Sequence, residues 1–150
     1  MTSSPLAFPT GRKILLVDDQ PSVLASLDYL FSMHGYSTVR TTRGEEALAC
    51  AQSETFDAII VDLHMPGLDG IAVCQRLHAG LSGAGRQTPI WIMTAAFTSE
   101  AATRAIEAGA RAVLKKPFDC VKLMREIETF ATGPAPAPAS APPPSSQAVA

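Results

Sequence analysis

The sequence predicts an α/β fold: a parallel sheet of five strands with helices packed on both faces. Three observations carry this. Five short apolar runs recur along the chain, each followed by a segment with apolar residues at helical spacing. The central strand, Asp57–Val61, ends in three consecutive apolar, β-branched residues, Ile59 to Val61, as a strand buried on both faces does. And strand–helix units that repeat in this way close most simply as parallel strands joined by helical crossovers. With 150 residues, of which 47% are hydrophobic and 17% charged, the chain is long and apolar enough for one domain with a substantial core.

The first strand is Lys13–Val17, and it runs into Asp18-Asp19. Val23, Leu24, Leu27, Leu30 and Phe31 then fall at helical spacing, with Pro21 in the first turn and Gly35 just past the last. Tyr36–Thr41 alternates like a strand nearer the sheet edge. Thr42 and Glu45 have the spacing of a capping box, opening a helix to about Ser53 that packs Ala47, Leu48 and Ala51. After Asp57–Val61 comes Asp62, then Met65-Pro66-Gly67, which cannot extend a strand. Asp69 caps a helix burying Ile71, Cys74 and Leu77. Gly80–Gln87 reads as a mobile surface loop. Pro89–Thr94 is the fourth strand, and Thr98 or Ser99 caps a helix through Ala108, closed by Gly109. Ala110–Leu114 is the fifth strand, broken by Lys115-Lys116-Pro117. Asp119 caps a last helix with Cys120, Leu123, Met124 and Ile127 on one face. Residues 1–11 are expected to be a disordered arm, 12–131 the folded domain, and 132–150, nearly all Ala, Pro and Ser, a flexible tail or linker.

Composition narrows the function. A net charge of −2 and a pI near 5.9 give no electrostatic case for binding nucleic acid or an anionic membrane. No apolar run is long enough to cross a bilayer, and the N-terminus lacks the basic start and apolar core of a secretory signal. Cys50, Cys74 and Cys120 are widely spaced. Buried free thiols are expected of them rather than a metal site or a disulfide framework, and a cytoplasmic location with that.

In a parallel sheet every strand delivers its C-terminal end to the same edge, where open α/β folds place their ligand sites. Asp18 and Asp19 end the first strand, Asp62 the third and Thr94 the fourth, while Lys116 follows the fifth. Taken singly, these could be a strand-end turn, a loop cap, a core hydroxyl and a solvated surface charge. Taken together they describe a site. Three clustered carboxylates repel one another unless a cation is present, and an all-oxygen set suits a hard ion such as Mg²⁺. A hydroxyl and an ammonium beside it suit an incoming phosphoryl group.

The stretches L-L-V-D-D, V-D-L-H-M-P-G-L-D-G, M-T-A and K-K-P-F, in this order and spacing over Lys13–Phe130, resemble the response-regulator receiver domain of two-component signalling. The resemblance implies the flavodoxin-like (βα)5 fold, a three-layer sandwich with strand order 2-1-3-4-5. It implies that Asp62 accepts a phosphoryl group, as 4-aspartylphosphate, from a phosphohistidine on a sensor histidine kinase or a histidine phosphotransfer protein. Asp19 and Asp62 would bind Mg²⁺ directly with the backbone carbonyl of His64, and Asp18 would hold it through water. Thr94 would contact the phosphoryl group and reorient, Lys116 would pair with it, and Lys116-Pro117 would be cis. The chain would be a switch rather than an enzyme in the ordinary sense, catalysing only its own phosphoryl transfer and dephosphorylation. Two positions depart from the pattern. Val113 stands where the family has an aromatic switch residue, leaving Phe97 as the nearest ring that could take its place, as an exposed partner contact or as core. His64 stands two residues past the acceptor, where side chains tune the lifetime of the phosphoryl bond.

On this reading the output is contact with a downstream protein that the sequence does not identify, passage of the phosphoryl group along a relay, or a phosphorylation-dependent dimer. The chain is either a single-domain regulator or a receiver cut from a longer protein. Three other functions are set against it. A phosphatase of the haloacid-dehalogenase kind would want a second carboxylate at position 64, which is His. A flavodoxin-like cofactor binder would want a Ser/Thr/Gly-rich phosphate loop where Asp18-Asp19-Gln20-Pro21 stands. A pseudo-receiver that only binds would not need the complete set of acids, Thr and Lys.

Overall fold

The computed structural model describes residues 11–81 and 88–132. Five strands, β1 (Lys13–Val17), β2 (Ser37–Thr41), β3 (Ala58–Asp62), β4 (Ile90–Thr94) and β5 (Ala112–Lys115), alternate with five helices. These are α1 (Pro21–Met33), α2 (Gly44–Ser53), α3 (Gly70–Leu81), α4 (Ser99–Glu107) and α5 (Cys120–Thr132). The sheet is parallel throughout, in the order β2-β1-β3-β4-β5. This is the flavodoxin-like arrangement the resemblance implies. The strand order reverses between β1 and β3, so the crevice at their C-terminal ends is the topological switch point.

Both faces of the sheet are sealed. Leu15, Val17, Ile59, Val61 and Ile92 pack with Ala47 of α2, Ile71, Cys74 and Leu77 of α3 and Ala105 of α4. Ile14, Leu16, Ile60, Trp91 and Met93 pack with Leu24, Leu27 and Phe31 of α1 and Leu123, Met124 and Ile127 of α5. β3 and β4 are buried at every position, which accounts for their unbroken apolar runs. Each fully buried aliphatic side chain contributes about 1.5–3 kcal/mol, so the two layers rather than helix propensity hold the helices in place.

Three caps form as expected: Asp69 Oδ1 accepts from Ala72 N at 2.9 Å, Thr98 Oγ1 from Ala101 N at 3.0 Å and Asp119 Oδ1 from Lys122 N at 3.1 Å. Pro21 opens α1, and Gly35 and Gly109 follow α1 and α4 with positive φ. The capping box does not form. Arg43, not Thr42, occupies the N-cap, with no side-chain cap bond. The helix starts at Gly44, which sits against Leu68 and Val73; a Cβ there would lie 2.6 Å from Val73 Cγ2. α3 also runs further than expected, through Gly80 to Leu81, its last turn tolerating the glycine. β2, β3, β4 and β5 each begin one or two residues later than their apolar runs suggested, and β3 takes in Asp62. The cysteines are free, Cys74 buried and the other two half-buried. No helix among the described residues is long and apolar enough to cross a membrane. The expected arm up to residue 10, most of the expected 80–87 loop and the tail from 133 lie outside the described residues.

Candidate functional site

The strand ends converge. Asp18 follows β1 directly, its backbone N–H bonded to the Thr41 carbonyl at the end of β2, and its side chain is fully buried. Asp62 is the last residue of β3, paired in register with Met93; the next residue, Leu63, donates its N–H to the Met93 carbonyl at 2.8 Å. Thr94 closes β4, also fully buried, its Oγ1 accepting from Ala96 N at 3.0 Å. Lys116 is carried to the same edge by its N–H bond to the Thr94 carbonyl, and the Lys116–Pro117 peptide is cis.

Lys116 ties the group together. Its ammonium lies 2.7 Å from Asp62 Oδ1 and 3.0 Å from Asp18 Oδ2. The other Asp18 oxygen, Oδ1, accepts from Gln20 N at 2.9 Å. Oxygens of Asp18, Asp19 and Asp62 all lie within 4.8 Å of one another, with Asp19 the most open to solvent. Burial pushes the Asp62 carboxyl above the ordinary carboxylate range; Lys116 pulls it down, and Asp18 and Asp19 push it up again. Burial alone would lower the Lys116 ammonium, but its hydrogen bonds to Asp62 and Asp18 outweigh that and hold it above its usual value. An all-oxygen cluster of three carboxylates against one ammonium carries excess negative charge, and a hard divalent cation fits its chemistry.

All five residues singled out from the sequence thus share one edge. His64 is exposed on the loop after β3. Phe97, on the loop after β4, is 44% exposed and so is not a core residue, whereas Val113 is half-buried on the α2–α4 side of the sheet. The sequence did not signal the close seating of Gly70. A Cβ at that position would lie 2.3 Å from the Asp62 carbonyl oxygen. The glycine was visible as the end of the D-G pair, but nothing in a sequence pattern says what its missing side chain makes room for.

Residues 14–128 match the family model of the response regulator receiver domain. Response regulator MprA of Mycobacterium tuberculosis is 36% identical over 118 residues, 79% of this chain and 50% of that protein. The sensory/regulatory protein RpfC of Xanthomonas campestris is 33% identical over 121 residues, 81% of this chain and 17% of that protein. The chain therefore spans half or less of the length of these relatives. Among solved structures, the receiver domain of the sensor histidine kinase PA1611 of Pseudomonas aeruginosa, with a magnesium ion coordinated in its active-site cleft, superposes with a TM-score of 0.68 at 27% identity. That match covers 81% of this chain and 98% of the other. Sequence, strand order and the acidic cleft agree: this chain belongs to the response regulator receiver domains of two-component systems.

Proposed function

We propose that this chain is a phosphorylatable switch whose folded unit is residues 12–131, and that Asp62 takes a phosphoryl group from a phosphohistidine on a sensor histidine kinase or a histidine phosphotransfer protein. The observation that carries this is the bridging of Asp62 and Asp18 by Lys116 at the switch point of the sheet. An Asp62 carboxylate oxygen attacks phosphorus in line, the O–P bond forms as the P–N bond breaks, and the bonding pair returns to the protonated imidazole, which leaves neutral. Lys116 follows the charge that develops on the phosphoryl oxygens, and the Thr94 hydroxyl donates to one of them. Asp19, Asp62 and the His64 backbone carbonyl would hold Mg²⁺ directly, supplying positive charge to the transferring group when bound. Both oxygens of Asp18 already have protein partners, which supports its acting on the cation through water.

Once Thr94 turns toward the new dianion, the loop from Ala95 to Thr98 follows it, and Phe97, exposed on that loop, is the ring free to change its packing. Val113 is too short and stiff to do so. The signal then passes by protein–protein contact or along a relay, in the cytoplasm, whether the chain acts alone or as the receiver of a longer protein. Incubation with acetyl phosphate, with and without Mg²⁺, followed by intact-mass measurement tests the proposal. The native chain gains one phosphoryl group only with the cation, and Asp62→Asn gains none while keeping its circular dichroism. Equal labelling of the two chains overturns it.

A further inference from the structure

The acceptor strand is held from behind by a helix that has no side chain at the contact. Gly70 is the first residue of α3, and an ideal Cβ there would lie 2.3 Å from the Asp62 carbonyl oxygen and 2.8 Å from Leu63 Cα. Both are backbone atoms at the end of β3, where Asp62 pairs with Met93 and Leu63 N bonds to the Met93 carbonyl, so neither can swing aside as a side chain would. Gly70 N donates to the Leu63 carbonyl at 2.8 Å, which closes the 63–69 loop at its root. Asp69 caps the same turn through Ala72 N. The root of that loop carries the Asp62 carboxylate on one side and the His64 carbonyl on the other.

We propose that Gly70 is a positioning residue. By letting α3 seat directly on the Asp62–Leu63 peptide, it fixes the Asp62 carboxylate and the His64 carbonyl against Asp18 and Asp19 in the geometry that a hard divalent cation and the phosphoryl group require. This rests on the reading of Asp62 as acceptor and cation ligand. An alanine at 70 must open the contact by about 1 Å, a displacement that costs about 10²-fold when it reaches reacting groups. Gly109 provides the comparison. It has φ +109 and a Cβ there would lie 2.5 Å from His78 Cγ, so Gly109→Ala also disturbs packing and presses on α3, but on its last turn and not behind the acceptor.

The test is the rise in melting temperature that Mg²⁺ produces within each variant, which cancels any loss of stability in the cation-free state. It is read beside the initial rate of acetyl phosphate labelling at several Mg²⁺ concentrations. In Gly70→Ala the half-saturating Mg²⁺ concentration rises about 10–100-fold, as for groups that orient metal ligands, and labelling slows with it. In Gly109→Ala both stay at the native value. Asp69→Ala, which loosens the same turn without a clash and keeps the experiment readable if Gly70→Ala does not fold, shifts the Mg²⁺ response in the same direction, and Asp69→Ser restores it. A Gly70→Ala or Asp69→Ala response equal to the native one, or equal losses in Gly70→Ala and Gly109→Ala, overturns the positioning role. A native chain that neither binds Mg²⁺ nor labels overturns the site reading itself.

Discussion

Replacing the proposed acceptor, Asp62, by its neutral isostere should make the cation-free protein more stable. Asp62 faces two carboxylates within 4.8 Å and one ammonium at 2.7 Å. At an effective dielectric constant near 20, each repulsion is about 3.5 kcal/mol and the attraction about 6 kcal/mol, a balance of about 1 kcal/mol against the ionised acid. Its burial adds a desolvation cost, while an Asn oxygen can still accept from Lys116 for about 1 kcal/mol. Asp62→Asn should therefore gain about 1–3 kcal/mol, or about 4–12 °C in melting temperature for a domain of this size. The size of the gain depends on pH. A carboxyl whose folded pKa is raised stabilises the folded state only while protonated, and that contribution disappears as pH rises through the folded value. The advantage of Asn is thus greatest near neutrality and vanishes in acid. Calorimetry in a chelator, stepped from pH 7 downward, measures both. A variant no more stable than the native chain at pH 7, or one whose advantage grows on acidification, refutes the reasoning.

Two further outcomes follow from the same geometry. Lys116→Met leaves the fully buried Asp18 without the ion pair to its Oδ2, and with Lys116 itself partly solvated the loss should be about 2–4 kcal/mol without Mg²⁺. Urea unfolding measures this, and an unchanged midpoint at the same slope would count against it. Burial pushes the Cys74 thiol up to about 12, so at pH 8 only about one molecule in ten thousand carries the thiolate. Iodoacetamide should modify Cys74 only once the protein is unfolded, and rapid labelling of the native protein would contradict that.

Much of this was legible because the relevant chemistry sits at strand ends. Asp18, Asp62, Thr94 and Lys116 each terminate an apolar run, and a parallel sheet sends such ends to one edge whatever its exact register. Asp69, Thr98 and Asp119 could be read as caps because the bond each makes is local, three residues along the chain. The failures are long-range. Thr42 and Glu45 satisfy the spacing of a capping box, but the N-cap falls on Arg43 and Gly44 is seated against Leu68 and Val73, distant residues that no local pattern names. Gly70 opens α3 just after the Asp69 cap, and its contact with the end of the strand before it shows only in the fold. That one ammonium bridges two carboxylates 98 and 54 residues away could not be read from spacing, since it depends on how β5 follows the end of β4.

The double-sided burial of β1 and β3 has a consequence for how the chain finds a unique structure. Ile14, Leu15, Leu16 and Val17 are each wholly buried, odd positions in one layer and even positions in the other. Sliding such a strand by one residue exchanges greasy side chains for greasy side chains, so the hydrophobic alternation that guards half-exposed strands against misalignment is mute here. What distinguishes the correct alignment is the abrupt change to Asp18 and Asp62 at the rim, because a one-step slip would drag an unpaired acid between the layers. The residues proposed to do the chemistry would then also mark where each strand stops. Variants that swap them for apolar residues should be examined for alternative strand alignments as well as for lost phosphorylation.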